Sequence, residues 1–254
     1  MTTYKGYVCL EHDDSPLTAY TEAYKKHTHK FSVQLISGFI SYFNQFAFRD
    51  KIGATVYYWD TLWAGQMREM FASGRVSFEN HSLSHMDLAQ LATPETAAAL
   101  EELELACLSA RDWIENFTGA KPVVFTPPYI SYHAWQAAYF DVWFRYWVAE
   151  LKQFDANAVA NLNAFPLPTQ LHAHYLGGAA GTPAVTSAQW GYVDAVLTDL
   201  ETNKKLCIIL MHDITTLNTA TVGRNILPTD YAILMQKLAA IQADGHLITE
   251  SELI

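Results

Sequence analysis

Short apolar runs separated by amphipathic stretches set the pattern of this chain. Tyr7-Val8-Cys9-Leu10 is the first run, and Gly53–Tyr58, rich in β-branched and aromatic residues, predicts a second strand. Trp63–Ser73 has helical spacing and stops at Gly74, a residue suited to the left-handed position after a helix. Val76–Glu79 predicts a further short strand. Thr93-Pro94 predicts a helix start, with Thr as N-cap and Pro in the first turn, and Ala- and Glu-rich sequence carries it to Asn116, before Gly119. Val123–Thr126 predicts a strand running into Pro127-Pro128, and Trp143–Val148 another. Lys205–Met211 predicts a buried strand ending at His212-Asp213. Tyr231–Ala243 predicts a last helix, closed by Gly245, and His246–Thr249 a last strand. Strand–helix alternation of this kind predicts a parallel sheet closed, or nearly closed, into a barrel.

Length and composition agree with that outline. At 254 residues the chain suits one large domain, and half its residues are hydrophobic, enough for a large core. The formal charge is −10 with no basic cluster, which excludes nucleic acid as a partner and disfavours an anionic polymer. Seven Trp and 14 Tyr leave rings to spare for stacking on sugar faces. Cys9, Cys107 and Cys207 are odd in number, without metal-knuckle spacing, and read as buried free thiols. No segment approaches a transmembrane span, and Met1–Tyr7 lacks the apolar stretch of a signal peptide. The sequence therefore predicts an intracellular protein or a chain that begins after a removed leader.

The candidate chemistry lies just after predicted strands, where barrel enzymes build their sites: Asp13-Asp14, His81, Tyr129 and His212. His81 and His85, four residues apart, would share one helical face and reach one ion. One aspartate of the pair would complete a two-His, one-carboxylate set, leaving the other as a base. That set describes a hydrolase that activates water on a divalent metal. His172 and His174 form a second pair, which on a strand would share one face and could act as ligands, but their Pro- and Gly-containing surroundings favour a loop. His27 and His29, with basic neighbours, read as surface residues.

In this order, these residues resemble the motifs of the polysaccharide deacetylase family, carbohydrate esterase family 4, also called the NodB-homology domain. Glu11-His12-Asp13-Asp14-Ser15-Pro16 stands at the Thr-Phe-Asp-Asp-Gly motif. His81-Ser82-Leu83-Ser84-His85 stands at His-Ser/Thr-x-x-His, and Thr126-Pro127-Pro128-Tyr129 at Arg-x-Pro-Tyr. Ile208–Asp213 stands at the Leu-x-x-His strand end. The resemblance spans nearly the whole chain. It implies a single domain over 1–254, a distorted (β/α) barrel of seven or eight mostly parallel strands.

The resemblance also implies roles. Asp14, His81 and His85 would bind one divalent metal, with zinc expected and cobalt or another divalent ion as alternatives. Asp13 would be the base and His212 the acid, and the Tyr129 backbone N–H would stabilise the oxyanion. Pro128, Tyr129 and Leu210 would contact substrate, with Ile209 as an alternative to Leu210 in an acetyl pocket. The implied partner is an N-acetylated glycan (chitin, its oligomers or peptidoglycan) at a secreted or cell-surface location. Two positions depart from the pattern. Thr126 replaces the arginine that pairs with and orients the catalytic aspartate, leaving Arg145 or Arg111 as candidate substitutes. The fourth-motif aspartate has only Asp155 as a counterpart, with Glu150 as a second choice. Lys26–Lys51 is long for the family and predicts a loop over the site. Loss of the arginine motivates an alternative reading, a weak or inactive metal- and glycan-binding relative. A third reading is an intracellular small-amide or cyclic-ureide hydrolase.

Overall fold

The computed structural model describes residues 4–40, 46–52, 55–177, 184–215 and 225–253. Among the described residues there are eleven strands: β1 Tyr7–His12, β2 Phe31–Leu35, β3 Phe46–Ile52, β4 Thr55–Thr61, β5 Val76–Asn80, β6 Val124–Phe125, β7 Tyr146–Gln153, β8 Asn163–Ala164, β9 Gln170–Tyr175, β10 Lys205–Met211 and β11 Leu247–Ile248. The helices are α1 Ala64–Ala72, α2 Ala97–Thr118, α3 Ala134–Trp143, α4 Ser187–Thr202 and α5 Pro228–Ala243.

Seven strands close a parallel ring in the order β1-β2-β5-β6-β7-β9-β10, and β10 returns to β1 over six paired residues, Tyr7↔Leu206 to His12↔Met211. This is the predicted (β/α) barrel. β11 adds to β1 in parallel, and β8 caps the start of β10 antiparallel. β3 and β4 form a separate antiparallel hairpin. The expected second strand therefore belongs to that hairpin and not to the barrel; its first two positions, 53 and 54, lie outside the described residues. The second barrel strand is β2, inside the Lys26–Lys51 stretch read from sequence as a loop, of which 41–45 lie outside the described residues. Phe31-Ser-Val-Gln-Leu alternates outward apolar with inward polar side chains, so no continuous apolar run announces it.

The period-2 alternation of the strands divides the core into shells. Val8 and Leu10 point outward into a cluster with Phe31, Val33, Met67, Met70, Leu234 and Leu238, beneath α1 and α5. Phe125, Phe140, Phe144 and Trp147 pack with α2 and α3 in a second cluster. Cys9, Val124, Val148, Leu171, Ala173, Leu206, Ile208 and Leu210 form a third, with Ile248 and Leu253. Helix α2 buries Ala99, Leu103, Ala106, Cys107, Ala110 and Ile114, one face at helical spacing. Its cap is Thr96, whose hydroxyl accepts from the Ala99 N–H, three residues later than Thr93-Pro94 suggested. It ends at Gly119 with φ 76°, a left-handed conformation that glycine adopts without strain. Helices α3 and α4 lie where no helix was predicted, and Trp143 ends α3 instead of starting a strand. His172 and His174 lie on strand β9, not in a loop. His29 is buried, with its Nε2 2.7 Å from the Tyr231 hydroxyl, and is not a surface residue. All three cysteines are buried and free. Among the described residues, no helix is long and apolar enough to cross a membrane.

Candidate metal centre and catalytic site

The ends of β1, β5, β6 and β10 bring the candidate residues to one mouth of the barrel. Asp13 continues β1, its N–H donating to the Met211 carbonyl at 3.0 Å. The chain then turns sharply, with Asp14 at φ 70° and Ser15 at φ 54°. Every described non-glycine residue with positive φ lies in the loops after β1, β5 and β6: Asp14, Ser15, Ser82, His85, Tyr129 and Ile130. Such conformations are held only where surrounding contacts over-determine them. Here the contacts are specific. The Ser15 hydroxyl accepts from the Ile36 N–H at 2.9 Å, Asn80 Oδ1 accepts from Ser82 N–H at 2.8 Å, and the Ser82 hydroxyl accepts from His85 N–H at 3.0 Å. Gly38 donates to the Leu83 carbonyl at 2.9 Å, and a Cβ there would lie 2.3 Å from that oxygen, so glycine permits the approach.

His81 and His85 do not sit on a helix. They occupy a loop, and the positive φ of Ser82 and His85 brings their rings to a centroid separation of 5.1 Å. Their Nε2 atoms lie 3.1 and 2.9 Å from Asp14 Oδ1. The three ligand atoms offered by Asp14, His81 and His85 lie within 4.8 Å of one another, and all three residues are buried. One carboxylate and two imidazoles make a donor set that fits zinc or cobalt. His81 Nδ1 donates to the Thr126 carbonyl at 2.6 Å; a carbonyl only accepts, so this bond places a proton on Nδ1 and turns Nε2 toward the position that an ion shared with Asp14 would take. Burial alone would raise the Asp14 carboxyl. The facing His85 and His212, with hydrogen bonds from His81 and His85, outweigh it and hold Asp14 well below the usual carboxylate range.

His212 Nε2 lies 3.7 Å from Asp14 Oδ2 and 4.0 Å from Asp13 Oδ2. The Tyr129 ring packs against His85 at 4.6 Å, beside buried Pro128. Leu210 faces the barrel interior, whereas Ile209 faces the outer shell. Asp155 is not drawn in: its Oδ1 accepts from the Asn157 N–H at 2.7 Å in the turn after β7. Glu150 pairs with Lys152 on the outer surface of β7. Arg111 pairs with Asp112 and Arg145 lies over Tyr146, so neither is placed at the aspartate pair.

Behind the site lies a polar network that sequence reasoning missed. Thr126 Oγ1 donates to Glu11 Oε1 at 2.8 Å, and Gln34 Nε2 donates to Glu250 Oε2 at 2.8 Å. Glu79 Oε2 accepts from the Val123 and Val124 N–H groups at 2.6 and 3.0 Å. Glu11, Glu79 and Glu250 have no exposed surface. One signal was available: Glu11 is two residues from Asp13 on a strand, hence on the same face.

A family model described as polysaccharide deacetylase matches residues 1–138, more than half of the chain. The chain belongs to the polysaccharide deacetylase family. Among solved structures, the family 4 acetyl xylan esterase from Clostridium thermocellum, described in complex with a cobalt ion, aligns over 97% of this chain and 89% of its own, with TM-score 0.52 and 18% identity. That likeness shows the shared fold. The peptidoglycan deacetylase PdaC from Bacillus subtilis aligns over 98% of this chain and 90% of its own, with TM-score 0.47 and 16% identity. The Streptococcus pyogenes deacetylase PplD aligns at 23% identity and TM-score 0.38 over 52% of this chain, which spans only 50% of that one. No curated protein matches the sequence.

Proposed function

We propose that this polysaccharide deacetylase family member, acting as one domain over 1–254, hydrolyses N-acetyl groups on N-acetylglucosamine-containing glycans: chitin, chitooligosaccharides or peptidoglycan. The observation that carries the reading is the convergence of Asp14, His81 and His85 within 4.8 Å, flanked by His212. An acetamide resists hydrolysis because its carbonyl is a poor electrophile and its amine a poor leaving group. A divalent ion, expected to be zinc, supplies Lewis acidity toward the carbonyl and toward water when held by Asp14, His81 and His85. Asp13 is assigned as the base that takes a proton from the attacking water. His212 is assigned as the acid that returns one to the departing amine nitrogen. The Tyr129 backbone N–H is assigned to the oxyanion, and Pro128, Tyr129 and Leu210 to substrate contact.

The test is acetate release from chitooligosaccharides and peptidoglycan fragments by protein loaded with zinc or cobalt, alongside metal content. One equivalent of metal with acetate release is expected. Bound metal with no release from any acetylated glycan would sink the reading.

A further inference from the structure

Helix α3 carries apolar side chains on its solvent side as well as on its buried side. Gln136 and Phe140 face inward and are covered. Ala134, Trp135, Ala138, Tyr139, Val142 and Trp143 recur at helical spacing and form one outer stripe without a charged residue. Val142 is 79% exposed, Ala134 and Ala138 are exposed, and the three rings are half-buried. The rings make a ladder at i, i+4 and i+8, with centroids 6.1 Å apart from Trp135 to Tyr139 and 5.2 Å apart from Tyr139 to Trp143. The acidic groups at its edges are engaged: Glu95 accepts from the Tyr139 hydroxyl at 2.6 Å, and Asp141 from the Trp147 indole N–H at 2.8 Å. The Trp135 indole N–H is covered and finds no acceptor among the described residues. A helix that is apolar on both sides belongs in an interior; on a surface such a stripe marks a contact site. One end of it lies at the barrel mouth. His133 Nε2 donates to the Leu91 carbonyl at 3.1 Å and Gln136 Nε2 to the Leu88 carbonyl at 2.9 Å, which fastens the first turn of α3 to the loop that follows His85.

We propose that the α3 stripe is a second glycan-binding surface, on which a neutral N-acetylated glycan chain lies along Trp135, Tyr139 and Trp143 outside the catalytic mouth. It rests on the reading of the substrate as such a glycan. Sugar rings present C–H faces that stack on aromatic rings, and hydroxyl and acetamide oxygens that accept from an indole N–H. Alanine at positions 134 and 138 puts no longer side chain between the rings and solvent. Other occupants fit less well. A ten-residue helix is about 15 Å long, and a stripe one helix wide offers on the order of 150 Å², far short of the roughly 800 Å² per partner of a stable dimer. A membrane-surface helix carries Lys and Arg beside its apolar face. Here the stripe holds neither, Arg145 lies past the helix end over Tyr146, and the chain has a formal charge of −10. A glycan chain is narrow and uncharged, and both properties match the stripe.

The experiment measures depletion of full-length wild type, W135A/W143A and A138E from solution by insoluble chitin, with circular dichroism on each and sedimentation on wild type and A138E. Runs with and without added zinc read binding apart from catalysis. Wild type is expected to bind chitin. W135A/W143A should bind about tenfold more weakly, the loss of two stacked rings, and A138E, which sets a carboxylate on the stripe at an exposed position, about threefold or more. Wild type that does not bind chitin, or a folded W135A/W143A that binds as tightly as wild type, would overturn the proposal. If W135A/W143A fails to fold, A138E decides by the same criterion. A wild-type dimer that A138E converts to monomer would also overturn it, since a second copy would then cover the stripe. If wild type releases no acetate from any acetylated glycan, the functional reading fails, whereas chitin binding that depends on the stripe still supports the glycan surface.

Discussion

The two sides of the barrel interior are built from opposite materials. Toward β6, β7, β9 and β10, the inward side chains are Val124, Val148, Leu171, Ala173, Leu206, Ile208 and Leu210, an apolar filling closed by Ile248 and Leu253. Toward β1, β2 and β5 they include Glu11, Ser32, Gln34, Ser77 and Glu79, joined by Glu250 and Thr126. Both sides are buried. The first stabilises by removing apolar surface from water; the second must satisfy every polar atom it buries, and gains little stability by doing so. Its use is to hold the site: Asp13 continues β1, His81 follows β5, and Thr126 bonds both Glu11 and His81. Substitutions on the two sides should therefore separate rate from stability.

The largest effect is expected at the mouth above the polar side. Asp13→Asn keeps the shape and removes the proposed base, and should lower kcat by about 10²–10⁴-fold, with thermal denaturation within a few degrees of wild type. His81→Ala should abolish stoichiometric metal binding, measured by metal analysis after gel filtration. On the apolar side, Ile208→Ala removes methylenes from a fully buried position and should destabilise the protein by about 2–5 kcal/mol in denaturant titration. Its kcat, measured well below the unfolding transition, should stay near wild type. An Ile208 variant that is slow but stable would break the division between the sides.

The apolar side was the legible one. Lys205–Met211 and Tyr7–Leu10 announce themselves as continuous apolar runs because both faces of a barrel strand are covered. Strand β2 did not, since its inward positions are Ser32 and Gln34 and its pattern has no unbroken run. The same physics hid the network behind the site. Glu79 and Glu250 look like ordinary surface charges in sequence, and only closure of the ring shows that they are inside. The Asp14, His81 and His85 cluster was legible from order and residue type. Their geometry was not: His81 and His85 meet through left-handed backbone at Ser82 and His85 instead of one helical turn. Position 126 read as a loss in sequence, whereas its hydroxyl and carbonyl hold Glu11 and His81 together.

Thr126→Arg sharpens the comparison from within the polar side. Thr126 has no exposed surface, so a guanidinium must displace the Glu11 contact and enter among Glu11, Asp13 and Glu250. The expected outcome is a fall in kcat of about tenfold or more, since misplacement of a reacting group by an ångström costs on that order. A rise would mean that orientation of Asp13 is limiting in the natural protein and that the threonine site has not been rebuilt around Glu11.

The smallest effect is a slope. Burial raises Glu79 to about 7, from an ordinary value near 4.5. Between those values the folded state binds more protons than the unfolded state, so stability falls as pH rises. The contribution of the protonated form is complete below about pH 4.5 and is lost as pH passes through 7. Glu79→Gln keeps an oxygen for the Val123 and Val124 N–H groups and replaces Oε1, which lacks a partner, with an amide. Wild type minus E79Q, followed by urea unfolding from pH 5 to 8, should therefore decline with pH by on the order of a few kcal/mol. A flat difference would show that Glu79 is ionised throughout, and that the polar side carries charge where its burial argues for protons.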